Sequence, residues 1–224
     1  MPNTQPLSER LLPAKAPRLP VAHPEYRMDE IEQFYNVLRL YFTKLDNNIL
    51  SVFNPNGGRF LSFPYGAFSS TGTETPAVIN TPQLVTLNRT DYANDVSLAT
   101  NQIRVTRSGV YNVQFSIQAI NNDTQNHDLA IWLRRGTGTG AAVDVPYSSS
   151  VATIASKHGG VVGYNILAAN FFVDLIANDF IELWWSSNST QIQLATLPPI
   201  TTPFVNPGSP GVVITLSFVS ALPT

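Results

Sequence analysis

The chain has no cysteine, only three histidines, and a charged fraction of 12% over 224 residues. Each shortage excludes something. Without thiols there are no disulfides, no thiolate zinc sites and no cysteine nucleophile, and a reducing cytoplasm is the expected place of synthesis. The formal net charge is -2, from 13 Lys and Arg against 15 Asp and Glu. Phosphate recognition needs clustered cations, so no nucleic-acid partner is expected. No apolar run approaches the ~20 residues of a membrane span, and Met1 to Pro24 carries no signal-like stretch. A soluble product with no membrane partner is expected. The sequons beginning at Asn88, Asn122 and Asn188 are then read as chance matches in an Asn- and Thr-rich chain.

The same shortages bear on catalysis. His23, His127 and His158 are far apart in sequence, whereas a catalytic or metal constellation draws on converging groups. The run from Asn121 to Asp128 lacks the ordered oxygen ligands of a calcium loop and reads as a hairpin loop. Gly136-Thr137-Gly138-Thr139-Gly140 lacks the Lys and the following helix of a phosphate cradle. A hydrolase on such a chain would need paired acids in a cleft, and acidic residues are few. The expectation is a non-enzyme with no cofactor, no metal and no catalytic residues. Trp184, Trp185, Tyr147 and Tyr164 raise the question of an aromatic platform for sugar. Adjacent strand residues face opposite ways, however, so one tryptophan belongs to the core and the other is expected at a subunit interface, the alternative being a glycan site.

What remains is apolar and periodic: 43% of the residues are hydrophobic, enough for a core. Residues 1-26 read as an extended arm, because Pro2, Pro6, Pro13, Pro17, Pro20 and Pro24 forbid a helix or a central strand. Within it Arg10, Lys15 and Arg18 alternate with Leu11, Leu12 and Leu19, a pattern suited to anchoring on a partner surface. Residues 27-58 read as an amphipathic helix and a turn. Asp29, Glu30 and Glu32 open the helix, and Ile31, Phe34, Tyr35, Leu38, Tyr41, Phe42, Leu45 and Ile49 form a stripe for anchoring or trimerisation. The helix is expected to end near Leu50, before Asn54-Pro55-Asn56-Gly57-Gly58.

Residues 59-224 read as strands. Tyr111, Val113 and Phe115 alternate with polar residues, as do Leu129, Ile131 and Leu133, then Ile181 and Leu183, then Ile214, Leu216 and Phe218. All of these are expected to be buried. Roughly eight to ten strands at this spacing imply a sandwich, most simply a jelly roll. The predicted fold class is all-β: a jelly-roll β-sandwich with an N-terminal extended arm and one α-helix.

Two stretches resemble the trimeric jelly-roll superfamily of complement-type globular heads and tumour necrosis factor ligands. They run from Ile103 to Ser116, a strand, a Gly turn and an aromatic-rich strand, and from Phe171 to Leu183, where Asn178 replaces the family's turn Gly. The closing strand Val212 to Val219 is similar too. Val37 to Asn47, followed by Pro64-Tyr65-Gly66-Ala67-Phe68, resembles tailed-phage virion proteins that carry this head. The resemblance implies a homotrimer formed through an apolar, aromatic-rich side of the sandwich. The expected role is a capsid decoration, or cement, protein on the virion surface, bound through its arm to the major capsid protein or another virion protein. The alternative is a short tail or head fibre whose loops, from Asn121 to His127 and from Gly136 to Asp144, bind host surface glycan. A secreted cell-signalling ligand would need a leader, which is not expected here.

Overall fold

A computed structural model describes residues 15-19, 25, 27-53, 63-202 and 205-223. The chain divides into two compact units, Met1–Ser62 and Phe63–Thr224. In the first, helix α1 spans Met28–Phe53, with Asp29 and Glu30 in its first turn and Arg27 pairing with both, at 3.0 and 3.7 Å. It runs past Leu50 towards Pro55, whose ring disfavours helix in the residue before it. Ile31, Phe34, Leu38, Tyr41 and Leu45 are half-buried, and Tyr35, Phe42 and Ile49 are exposed. Among the described residues no helix is long and apolar enough to cross a membrane.

The second unit is a jelly-roll β-sandwich. Its first sheet runs in the order β10 (Gly163–Leu175), β6 (Gly109–Asn121), β13 (Val212–Ser220), β1 (Tyr65–Ser70), β3 (Arg89–Asn94), with β12 (Ile192–Leu194) also paired to β6. The second sheet runs β4 (Val96–Ala99), β5 (Gln102–Val105), β11 (Asp179–Ser187), β7 (His127–Thr137), β8 (Val143–Asp144); β2 (Gln83–Leu84) joins β11 and β9 (Ser150–Ile154) joins β7. The chain crosses between sheets from β6 to β7 and again from β9 to β10 to β11, so hydrogen-bonded neighbours are distant in sequence. That exchange closes the sandwich as a jelly roll.

Alternation explains why these segments become these strands. On β6 the odd positions Tyr111, Val113, Phe115, Ile117 and Ala119 are buried while the even ones stay partly or fully exposed. Leu129, Ile131 and Leu133 on β7 face them from the other sheet, with Ile181, Leu183 and Trp185 on β11, while Ile214 and Leu216 on the neighbouring strand β13 extend the same layer as β6. Each such side chain contributes about 1.5–3 kcal/mol on burial. Phe218 differs from the expectation of full burial: it is half-buried at the rim, edge-on to Tyr111 at 5.7 Å and stacked on Phe63 at 5.9 Å. Gly109 makes room for it, since a Cβ there would strike the Phe218 ring. Tyr111 keeps its hydroxyl satisfied by donating to Arg107 O at 2.7 Å, and burial pushes its pKa up to about 12.

The described residues hold thirteen strands, more than the alternation suggests. β1 is Tyr-Gly-Ala-Phe-Ser-Ser, with small residues and no clear alternation, and β3 is an edge strand with mostly exposed side chains. Neither carries a period-2 apolar signal, and the two residues of β8 are too few to show one.

Phe115, stacked with Phe171 at 6.1 Å, tests the register. Phe115→Ala should cost about 3–5 kcal/mol, lowering Tm by roughly 10 °C in calorimetry. An unchanged Tm would mean that Phe115 does not face the core.

Candidate functional site

No group of His, Cys, Asp and Glu among the described residues is arranged to hold a metal. The Asn121 to His127 loop is satisfied internally. Asn121 Nδ2 donates to Gln125 O and Ile154 O, its Oδ1 accepts from Asp123 N, and His127 Nε2 lies 2.7 Å from Asp123 Oδ2. The hydrogen bonds from His127 and from Thr124 N hold the Asp123 carboxyl below its ordinary value. Nothing in this loop converges on an open space. Gly136 belongs to β7, where a Cβ would collide with the Phe180 ring across the strand pair. Of the arm residues, Arg10, Leu11 and Leu12 lie outside the described residues, while Lys15, Arg18 and Leu19 are exposed.

The surfaces with chemical character are the outer faces of the two sheets. On the first sheet, register aligns Phe172, Asn112, Ser217 and Tyr65 across four strands. The next row aligns Asn170, Gln114, Thr215, Ala67 and Tyr92. A third places Ala168, Ser116 and Val213 side by side. Small side chains in the middle rows leave a depression of about 420 Å³ bordered by Gln114, Ser116, Ala168, Asn170, Val213 and Thr215. Large ones surround it: Tyr65, Tyr92, Tyr164, Ile166, Phe172 and Val219 are all about half exposed or more. Asn112 Oδ1 is buried on this face with no hydrogen-bond partner. A monomer rarely leaves so many large apolar side chains on one sheet face.

The second sheet's outer face is different. β11 and β7 pair so that Trp184 lies opposite Trp132 and Glu182 opposite Arg134. The Arg134 guanidinium sits 4.1 Å over the Trp184 ring, and its Nε donates to Asp144 Oδ1 at 2.6 Å. Trp132 Nε1 donates to the same oxygen at 2.7 Å. These two hydrogen bonds, Arg134's first, hold the Asp144 carboxyl below its ordinary value. Trp184 Nε1 donates to Glu182 Oε2 at 2.8 Å, and Gln102 Nε2 to Glu182 Oε1 at 3.0 Å.

The four aromatic residues singled out in the sequence are therefore dispersed. Trp185 is in the core, Trp184 on the second sheet's outer face, Tyr164 on the first sheet's outer face, and Tyr147 in the β8–β9 connection. Asp144 closes the Gly136 to Asp144 loop already named from the sequence, whereas Trp132, Arg134 and Glu182 were not singled out. The available signal was the alternation of Leu129, Ile131 and Leu133, which turns Trp132 and Arg134 to solvent.

No protein-family profile matches the chain and no curated protein matches it in sequence. Among solved structures it is similar to Eiger TNF from S. frugiperda, at 14% identity over 73% of this chain and 96% of that one, with a TM-score of 0.47. It is also similar to murine APRIL in a crystal structure at pH 5.0, at 11% identity over 70% of this chain and 99% of that one, with a TM-score of 0.46.

Trp185 is held from below by Glu74, whose carboxylate bonds its side chain and accepts from Thr86 N at 2.8 Å. Burial raises the Glu74 pKa from its ordinary 4.5. A raised folded pKa means that the folded state binds the proton more tightly, so this stabilisation is present below about pH 4.5 and fades as pH climbs through the folded value. Glu74→Gln keeps the acceptor for Thr86 and removes the titration. The variant should gain urea stability relative to wild type between about pH 4 and about pH 7; an equal difference at both pH values would refute the assignment.

Proposed function

We propose that the protein is a homotrimeric virion structural protein, a decoration protein on the outer capsid surface of a tailed phage. The observation that carries the trimer is the first sheet's outer face, where Tyr65, Tyr92, Tyr164, Ile166 and Phe172 stand exposed around a depression. A threefold assembly that covers this face would remove the exposed apolar area from water and give Asn112 Oδ1 a site for a partner donor. Helix α1 supports the same reading. Ile31, Phe34, Leu38, Tyr41 and Leu45 recur at alternating intervals of three and four, the seam spacing of a coiled coil. Three such helices can bundle, leaving the Pro-rich arm, with Lys15, Arg18 and Leu19 exposed, to grip the major capsid protein or another virion protein.

The placement on a phage particle rests on the resemblance of Val37 to Asn47 and Pro64 to Phe68 to tailed-phage virion proteins, joined to an arm, a helix and a head that carries no metal-holding group among the described residues. The second reading, a fibre with a glycan-binding head, is favoured by the Trp132 and Trp184 face.

Light scattering on the full chain should give the mass of three 24.5 kDa protomers. Ile166→Glu with Phe172→Glu should dissociate the trimer by more than about a hundredfold in concentration, since two charges would be buried unpaired. A monomer at every concentration, or its absence from purified particles, would overturn the proposal.

A further inference from the structure

Outward-facing residues of a sheet are ordinarily short and polar, yet β7 and β11 turn two tryptophans to the same side, directly opposite each other. The groups around them are ordered. Glu182, only 6% exposed, takes Trp184 Nε1 on one oxygen and Gln102 on the other. Arg104 in turn donates to Gln102 Oε1 at 2.9 Å and to Asn178 O at 2.6 Å. In this inner half both Glu182 oxygens, both ends of the Gln102 amide and both terminal nitrogens of Arg104 are engaged.

The outer half is not. Arg134 spends Nε on Asp144 and holds its Cζ over the Trp184 ring, but no acceptor among the described residues meets Nη1 or Nη2, although the side chain is only 22% exposed. Asp144 takes both of its donors on Oδ1, and no donor among the described residues reaches Oδ2. Guanidinium donors and a carboxylate acceptor therefore stand side by side with unspent capacity, beside an indole whose orientation Asp144 fixes. One further feature lies in the connection that follows Asp144. Tyr147, in the connection from β8 to β9, is 99% exposed and holds φ at 62°. A bulky residue pays for that backbone, and Ser148 maintains it by donating to Val145 O at 2.8 Å and accepting from Leu133 N at 3.1 Å.

We propose that the outer face of the second sheet is a binding site for a neutral saccharide, with Trp132 as the stacking surface, Arg134 as hydroxyl-oxygen donor and Asp144 as hydroxyl acceptor. A sugar ring offers a C–H patch for an aromatic face and vicinal hydroxyls that both give and accept hydrogen bonds, which is the complement of this array. Charge selects the neutral class: Arg104 and Arg134 balance Glu182 and Asp144, so an acidic sugar gains no net attraction and meets the Asp144 carboxylate. Trp184 and Glu182 are positioning residues, since one carries the guanidinium and the other locks that indole. The site deepens the glycan-binding reading given above, on which it rests, and does not depend on the decoration reading.

The full chain is to be screened on a printed array of bacterial surface oligosaccharides, neutral and acidic, beside Trp132→Ala and Arg134→Gln. Saturable binding to a neutral oligosaccharide is expected, weakened at least about tenfold in both variants with Tm and trimer mass unchanged. In a titration with that oligosaccharide, the indole N–H resonances of Trp132 and Trp184 should move while that of the buried Trp185 stays. No binding to any neutral glycan, binding to acidic glycans alone, or binding that survives both variants would overturn the site and mark the cluster as cross-strand stabilisation. Light scattering of the same samples separates a failed site from a failed trimer.

Discussion

Strand β6 sets the terms for the sandwich. Its thirteen residues alternate strictly, and the buried set from Gly109 to Asn121 must meet an opposing apolar layer or leave Tyr111, Val113, Phe115 and Ile117 in water. β10 and β13 flank it along most of its length, β12 covers its end, and the second sheet supplies Leu129, Ile131, Leu133 and Leu183 from across the interior. A slip of one residue in any of these ladders would exchange the core and solvent faces of a whole strand. Register is thus enforced by burial, and everything displayed on the outside inherits that register.

The two outer faces inherit it to different ends. On the first sheet, rows of Ala, Ser, Thr and Val lie between rows of Tyr, Ile and Phe, which makes an apolar surface with a hollow at its centre. On the second, the same alternation lifts Trp132, Arg134, Glu182 and Trp184 into one charged and aromatic cluster. An apolar face with a recess suits self-association, and a charge-balanced aromatic one with unspent hydrogen-bonding capacity suits a small polar ligand. A single sandwich can carry both because its sheets turn their backs to one another.

Adjacent tryptophans show how far sequence reasoning reaches. That Trp184 and Trp185 point in opposite directions follows from strand geometry alone, and the structure buries Trp185 at 1% exposure. That Trp184 meets Arg134, fifty residues earlier, does not follow from any local pattern. β1 and β3 give the converse case: small or polar residues with no alternation become strands because β13 and β1 offer them ladder partners, Tyr65 against Ser217 and Ala67 against Tyr92.

The sequence by itself determined the all-β class, the helix with its apolar stripe, the inward residues of β6, β7, β11 and β13, and the turn at Asn178, which adopts φ 74° where a glycine is usual. These are local matters, decided by period and by backbone preference within a few residues. Tertiary structure alone decided which outward residues came together: Phe172 in one row with Tyr65 across two intervening strands, Trp132 beside Trp184, and Phe218 at the rim instead of the core. The reason is physical. A jelly roll hydrogen-bonds strands far apart in sequence, so the identity of a site depends on long-range pairing that no single segment encodes.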